Sequence, residues 1–452
     1  MTTGPMNAPY AQDPSFEHEA LEAFRTLLRF DTSNPPGNEL AAVQWLAEAL
    51  RCDGFEPEVL ESAPGRGNLV VRMYGDGSKK PLLLSSHVDV VSATETAHWD
   101  APPFAADIKD GVLYGRGTID MKNMTAMSLA TLRALKRSDV PLKRDVIMVA
   151  CADEESGSDY GSRWLAQYHP EKITAEYVFN EVGAFTLHFG GKRIYPIQIA
   201  EKGICWCTIT ATGTPGHGSI PAPDAALPRL AEAAHKLART RFPYHHHPVI
   251  DDFLKQIAAT QQGVVAHMLP LLRVPSLAPF ILSLFPDQAL ARTFDSYLRN
   301  TANPTMFHAG SKINVVPGSA TMHVDGRVLP GQTSDDFVRE LKTVIGDGFE
   351  IRVDKFYEGA VSDANDPMMA LLTQVIQDHD PGSHVVANMI PGFTDSPIYM
   401  ALGAKCYGFV PVKLPPDMHF ASMYHGHNER IPVDGFLWGL RAFMDAVWRV
   451  VT

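Results

Sequence analysis

The sequence predicts an α/β protein whose mixed sheet is flanked by helices, with a smaller α+β domain inserted into it. Two patterns predict this. In the first part of the chain, apolar runs of strand length alternate with segments of helical periodicity, the order of a sheet covered by helices. Near Gly203 the pattern changes to a two-residue alternation, and after about Leu329 the helix–strand alternation resumes. The expected organisation is therefore a catalytic domain in two parts, residues 1–202 and 329–452, around an inserted domain at 203–328.

The elements follow in chain order. Phe16 to Phe30 and Glu39 to Cys52 carry apolar residues at helical spacing. Asn68 to Met73 and Pro81 to His87 read as strands. The second opens with an unbroken apolar run, as a strand buried on both faces requires. Lys122 to Arg137 reads as a helix, Asp145 to Cys151 as a further apolar strand and Glu176 to Asn180 as a shorter one. In the insert, Ile204 to Thr212, Lys312 to Val316 and Ala320 to Leu329 alternate as strands. Helical segments lie between them at Ala225 to Arg239 and Ala289 to Asn300.

Composition excludes several classes. The chain of 452 residues is 45% hydrophobic and 20% charged, ordinary globular usage that disordered, collagenous and coiled-coil proteins do not share. The net charge of −12, with no run of Lys or Arg, argues against nucleic acid and anionic membranes as partners. Five scattered cysteines form no disulfide framework, and Met1 to Glu17 lacks a basic region followed by an apolar stretch. A cytoplasmic protein is expected. Val264 to Phe285 is apolar but holds three prolines, Arg273 and His267, which a spanning helix does not tolerate. It is expected to be a buried or partner-facing insertion.

Five motifs rich in His, Asp and Glu fall at the ends of predicted strands or in loops. His87 and Asp89 follow the strand PLLLS, and in α/β sheets ligands gather at the carboxyl ends of strands. His87 would offer nitrogen to a metal, and Asp89 would orient it. Asp120 follows two glycines and precedes a helix, where it could equally be an N-cap. Glu154 and Glu155 follow the strand DVIMVAC. One could ligate a metal while the other serves as general base, or both could sit in a solvated acidic turn. Glu181 follows a strand and alone reads as a surface residue; His425 and His427 lie near the C-terminus. Together the set can hold two cations bridged by one carboxylate, an arrangement that activates water for hydrolysis.

These motifs, in this order and spacing, resemble the dinuclear zinc metallopeptidase family of aminoacylase, glutamate carboxypeptidase, carnosinase-type dipeptidases and succinyl-diaminopimelate desuccinylase. The resemblance runs from about Phe16 to Val450. It implies the family's catalytic domain with an inserted lid and dimerisation domain. It also implies two divalent metal ions, zinc with cobalt or manganese as alternatives. The first metal would take His87 and Glu181, the second Glu155 and His425, with Asp120 bridging. The pattern of His, two residues, Asn and Glu selects His425 over His427. Glu154 is the implied general base and Asp89 the residue behind His87. A cis peptide bond is implied between Asp120 and Met121.

Within the insert, His217 in PGHGS resembles the histidine that reaches across a dimer interface to polarise the scissile carbonyl. Asn314 in INVVP resembles a substrate-binding asparagine, and Arg327 in DGR the arginine that holds the substrate's carboxylate. Thr394 lies in a loop that resembles the one closing the site. Alone, His217, Asn314 and Arg327 would be a turn residue, a strand polar group and a surface ion pair. Asn123, Val182 and Ser156 depart from the family pattern without removing a ligand. The long insert resembles that of larger members related to carboxypeptidase S and N-acyl amino acid hydrolases. Cys205 and Cys207 flank Trp206 in an alternating strand, where a packed strand or a thiol metal site would both fit. The implied activity is hydrolysis of N-acyl amino acids or short peptides with a free carboxylate, by a homodimer; the alternative is a dipeptidase or carboxypeptidase acting on free-amine dipeptides.

Overall fold

A computed structural model describes residues 14–285 and 288–452; the stretch 1–13, on which most of the signal-peptide reading rests, lies outside them. The chain divides into two compact units. The first comprises the described residues up to Ile199, then Ser362–Ala387 and Thr394–Thr452. The second comprises Ala200–Val361 and Asn388–Phe393.

The first unit is a mixed sheet with helices. Strands Tyr177–Asn180, Leu82–His87 and Val146–Cys151 lie side by side and parallel, and Lys405–Gly408 adds a further parallel neighbour beside Tyr177–Asn180. Arg66–Met73 and Glu58–Ala63 extend the sheet antiparallel beyond Val146–Cys151. The central strands are buried on both faces, which is why they read as apolar runs rather than alternations. Leu83, Ile147, Val149 and Val178 pack with Leu165, Ile173 and Tyr399 on one side. Helix Lys122–Ser138 is buried along nearly its whole length, and the C-terminal helix Val433–Val451 buries Phe436, Leu440, Phe443 and Val447 at helical spacing.

The second unit is built on an antiparallel sheet in the order Thr301–Ala309, Ser319–Val328, Gly203–Thr212, Glu350–Tyr357. Helices Ala226–Arg239 and Ser334–Ile345 supply Leu230, Ala233, Leu237, Phe337, Leu341 and Ile345 to its core. The sequence boundary at residue 328 is therefore displaced: the unit continues to Val361. The reason is pairing. Gly203–Thr212 is an interior strand, and Glu350–Tyr357 satisfies its second edge in the register Ile204 to Tyr357. Helix Ser334–Ile345, which opens with a capping box at Thr333 and Asp336, covers that sheet.

One other sequence expectation changes here. Of Lys312 to Val316, only Val315–Val316 is a strand. The apolar segment forms short helices, Gly263–Met268, Leu269–Arg273 and Ala278–Ser283, broken at the prolines. It is only half buried. Leu269, Leu272, Ile281 and Leu282 are inside, whereas Val264 and Phe280 are 71% and 64% exposed. Among the described residues no helix is long and apolar enough to cross a membrane. None of the five cysteines is in a disulfide; Cys205 and Cys207 are buried in the packed strand, their sulfurs 3.9 Å apart.

Candidate metal centre

Three adjacent parallel strands end at the same edge of the sheet, and each delivers a candidate ligand. Leu82–His87 ends on His87 itself. Val146–Cys151 leads into the turn that carries Glu154 and Glu155, and Tyr177–Asn180 leads directly to Glu181. His87 lies in register with Cys151, so the first two ends are level. Asp120 enters from the loop before helix Lys122–Ser138, and His425 from the loop before the C-terminal helix. Asp120 does not cap its helix; the cap position is Met121, and the Asp120–Met121 peptide is cis, as the resemblance implied.

The side chains converge as two triads that share Asp120: His87, Asp120 and Glu181, and Asp120, Glu155 and His425. Within each triad the potential ligand atoms lie within 4.8 Å of one another. Asp120 divides its oxygens between them. Its Oδ1 is 3.2 Å from His87 Nε2, and its Oδ2 is 3.2 Å from His425 Nε2. His87 Nε2 is 3.6 Å from Glu181 Oε2, and His425 Nε2 is 3.0 Å from Glu155 Oε2. Glu154 belongs to neither triad but sits beside them, its Oε2 3.9 Å from His87 Nε2.

The charges in this pocket point to cations. Burial, then the charge of Glu181, holds the Glu154 carboxyl well above the usual range. Burial and the neighbouring Asp120 raise Glu155 to about 7, and burial with nearby carboxylates raises Glu181 to about 7. Burial alone would depress the histidines, but their carboxylate partners lift His87 well above its ordinary value and His425 to about 10. The surrounding carboxylates therefore favour positive charge at this spot, which metal ions would supply on binding. Glu155 Oε1 is buried with no hydrogen-bond partner, an orphan that a metal bond would satisfy. Two imidazoles and three carboxylates, one shared, fit a pair of borderline divalent ions.

A supporting layer fixes these groups. His87 Nδ1 donates to the backbone oxygen of Asp89 at 3.0 Å, which leaves Nε2 facing the pocket. The Asp89 carboxylate accepts from the backbone amides of Glu154 and Glu155, 3.1 Å each, and from Asn34 Nδ2 at 2.9 Å. It therefore pins the two-glutamate turn as well as standing behind His87. Asp153 anchors the same turn through Arg66, 2.9 Å, and Asn34, 3.0 Å. Glu429 does the equivalent work for Asp120. It accepts from the amides of Gly117, Ile119 and Asp120 and pairs with Arg116 at 2.7 Å. Sequence reading gave no role to Asn34, Arg66, Asp153 or Glu429. Only Glu429 carried a signal, its fixed place after His425.

The remaining expected site residues are less uniform. His217 and Asn314 lie in the second unit and are brought together there: Gly216–His217 pairs with Val315–Val316, and Gly218 N donates to Asn314 O at 2.9 Å. Both are exposed. Arg327 is ion-paired through Nε and Nη2 with both oxygens of Asp325, at 2.8 and 3.1 Å. Thr394 is fully buried. Its hydroxyl is engaged by Asn180 Nδ2 at 3.2 Å and by the Ser396 backbone amide at 3.0 Å. Its side chain serves the turn into the following helix.

Carboxylates and histidines from three strand ends and two loops, gathered in two triads around one shared aspartate, fit a dinuclear metallohydrolase site. The chain belongs to peptidase family M20/M25/M40, whose model matches residues 83–449. It is 30% identical to the N-fatty-acyl-amino acid synthase/hydrolase PM20D1 of Bos taurus, over 80% of this chain and 72% of that protein. It is 28% identical to aminoacylase-1 of Sus scrofa, over 94% and 93%. Its fold superposes on the M20 family metallo-carboxypeptidase Sso-CP2 of Sulfolobus solfataricus with a TM-score of 0.72 at 18% identity, over 95% of this chain and 98% of that one.

Proposed function

We propose that the chain hydrolyses the amide bond of N-acyl amino acids, with zinc as the metal and Glu154 as the general base. The observation that carries this reading is the division of Asp120 between His87 and His425 with Glu154 alongside. Two divalent ions held by the triads would supply an activated water and a polarised carbonyl. The protein's own residues would do the rest. Glu154 would take the proton of the attacking water and return it to the departing nitrogen, a task its place beside the triads allows. Asp89 would keep both the Glu154 turn and His87 in place. Arg327 would exchange Asp325 for the carboxylate of the amino acid, for which a planar guanidinium is suited. His217 would act on the carbonyl from the partner subunit of a homodimer in the cytoplasm, the inserted unit serving as lid and dimerisation domain, with Asn314 beside it on the substrate. The names of the Bos taurus and Sus scrofa relatives support an acylated substrate, and the partly exposed apolar segment near Phe280 supports a hydrophobic one.

Paired substrates test the proposal: an N-acyl amino acid, in acetyl and long-chain forms, against the matching free-amine dipeptide, with zinc-loaded protein. Preference for the acylated member supports the reading. Preference for the dipeptide replaces it with a dipeptidase.

A further inference from the structure

A second grouping of metal-type side chains lies outside the two triads. Glu95, His98 and His427 present their ligand atoms within 4.8 Å of one another. Glu95 Oε2 is 3.2 Å from His98 Nδ1 and 3.5 Å from His427 Nε2. Zinc bonds to nitrogen and carboxylate oxygen of about 2.0–2.2 Å in a tetrahedron place neighbouring ligands roughly 3.4 Å apart, so this spacing suits one ion. The two imidazoles meet edge to face, centroids 5.2 Å apart, rather than stacked.

The local backbone brings the three together. Glu95 adopts a left-handed conformation (φ 52°), and the short turn Thr96–His98 follows, closed by His98 N donating to Glu95 O at 2.9 Å. His427 comes from the far end of the chain. The two loops are joined next to the cluster by Asp100 N, which donates to Asn428 Oδ1 at 2.6 Å. All three side chains are exposed, between 40% and 65%, so an ion can reach them and keep water in the remaining position.

We propose that Glu95, His98 and His427 form a third cation site, open and mononuclear, that takes a borderline divalent ion of the zinc type. Two imidazole nitrogens and one carboxylate oxygen select such an ion over calcium or magnesium, which prefer all-oxygen shells. The site is separate from the proposed reaction and stands or falls independently of it.

The test is equilibrium dialysis of the metal-loaded protein against micromolar free zinc, with metal counted per chain in wild type, His98→Ala and Glu95→Ala. Both positions are exposed, and matching circular dichroism spectra control for folding. Wild type is expected to bind one more zinc per chain than either variant, whatever the number held at the triads. Equal stoichiometry in all three proteins overturns the proposal.

Discussion

Glu154 and Glu155, adjacent in sequence, differ in the imidazole each meets. Glu155 faces His425 and Asp120, while Glu154 faces the pocket beside His87. Glu154→Gln keeps shape and hydrogen bonding but loses the proton acceptor. Turnover should fall by about 10² to 10⁴ while metal content by emission spectrometry stays at the wild-type value. Retained turnover would end the base assignment. His425→Ala removes a nitrogen from one triad only, so metal content should fall by about one ion per chain. Asp89→Asn replaces an oxygen that accepts a backbone amide with an NH2 group. The two-glutamate turn then meets a donor instead of an acceptor. Metal affinity should drop by about 10- to 100-fold in a competitive chelator titration, as outer-layer changes typically cause.

At the scale of elements, the candidate site depends on backbones that approach closely behind Glu181. Gly183 follows Glu181 by two residues, and a Cβ there would lie 1.8 Å from the carbonyl oxygen of Gly408. Gly183→Ala must push the Lys405–Gly408 strand or the Glu181 turn out of place. A loss of roughly 3 kcal/mol or more in urea unfolding is expected, with reduced metal content. Between them Val182 takes a left-handed φ of 56°, as do Asp153 (68°) and His425 (58°) at the other ligand turns. Such conformations in non-glycine residues cluster at functional sites. The departure of Val182 from the family pattern is thus a departure in a position whose backbone favours glycine.

At this scale too, the sequence was legible where chemistry and periodicity coincide. The apolar strands, the helices flanking them and the five His, Asp and Glu motifs could be read because burial on both faces and the clustering of imidazoles and carboxylates each restrict residue type. Asn34, Arg66 and Asp153 could not, since a neutral amide or an ion pair has no signature until long-range folding brings 34, 66 and 153 together. The end of the insert was misplaced for a similar reason. Glu350–Tyr357 alternates as any half-buried strand does, and only its pairing with Gly203–Thr212 assigns it to the second unit.

For the whole molecule, stability should respond to metal and to acid. Ions that bind only the folded triads stabilise by mass action, so exhaustive chelation should lower the melting temperature and added zinc should restore it. Acid acts through carboxylates such as Asp380. Burial opposes its charge, but Arg193 (2.9 Å), Tyr195 (2.7 Å) and Lys413 (3.1 Å) hold it below the usual range. A carboxyl lowered on folding contributes above its unfolded value, about 3.9, and that contribution is lost as pH falls through the folded value. Asp380→Asn should therefore cost about 1–3 kcal/mol at pH 7, and the gap to wild type in denaturant melts should narrow below about pH 4.

The first unit is assembled from three stretches of chain, with most of the second unit, Ala200–Val361, synthesised between the first stretch and the second, and its remaining piece, Asn388–Phe393, between the second and the third. On the ribosome, His87, Asp120, Glu155 and Glu181 emerge long before His425, which lies in the final stretch together with the buried C-terminal helix. A nascent chain can therefore present one complete triad while the other still lacks its histidine. The growing polypeptide carries a half-built site until the loop that bears His425 has been made.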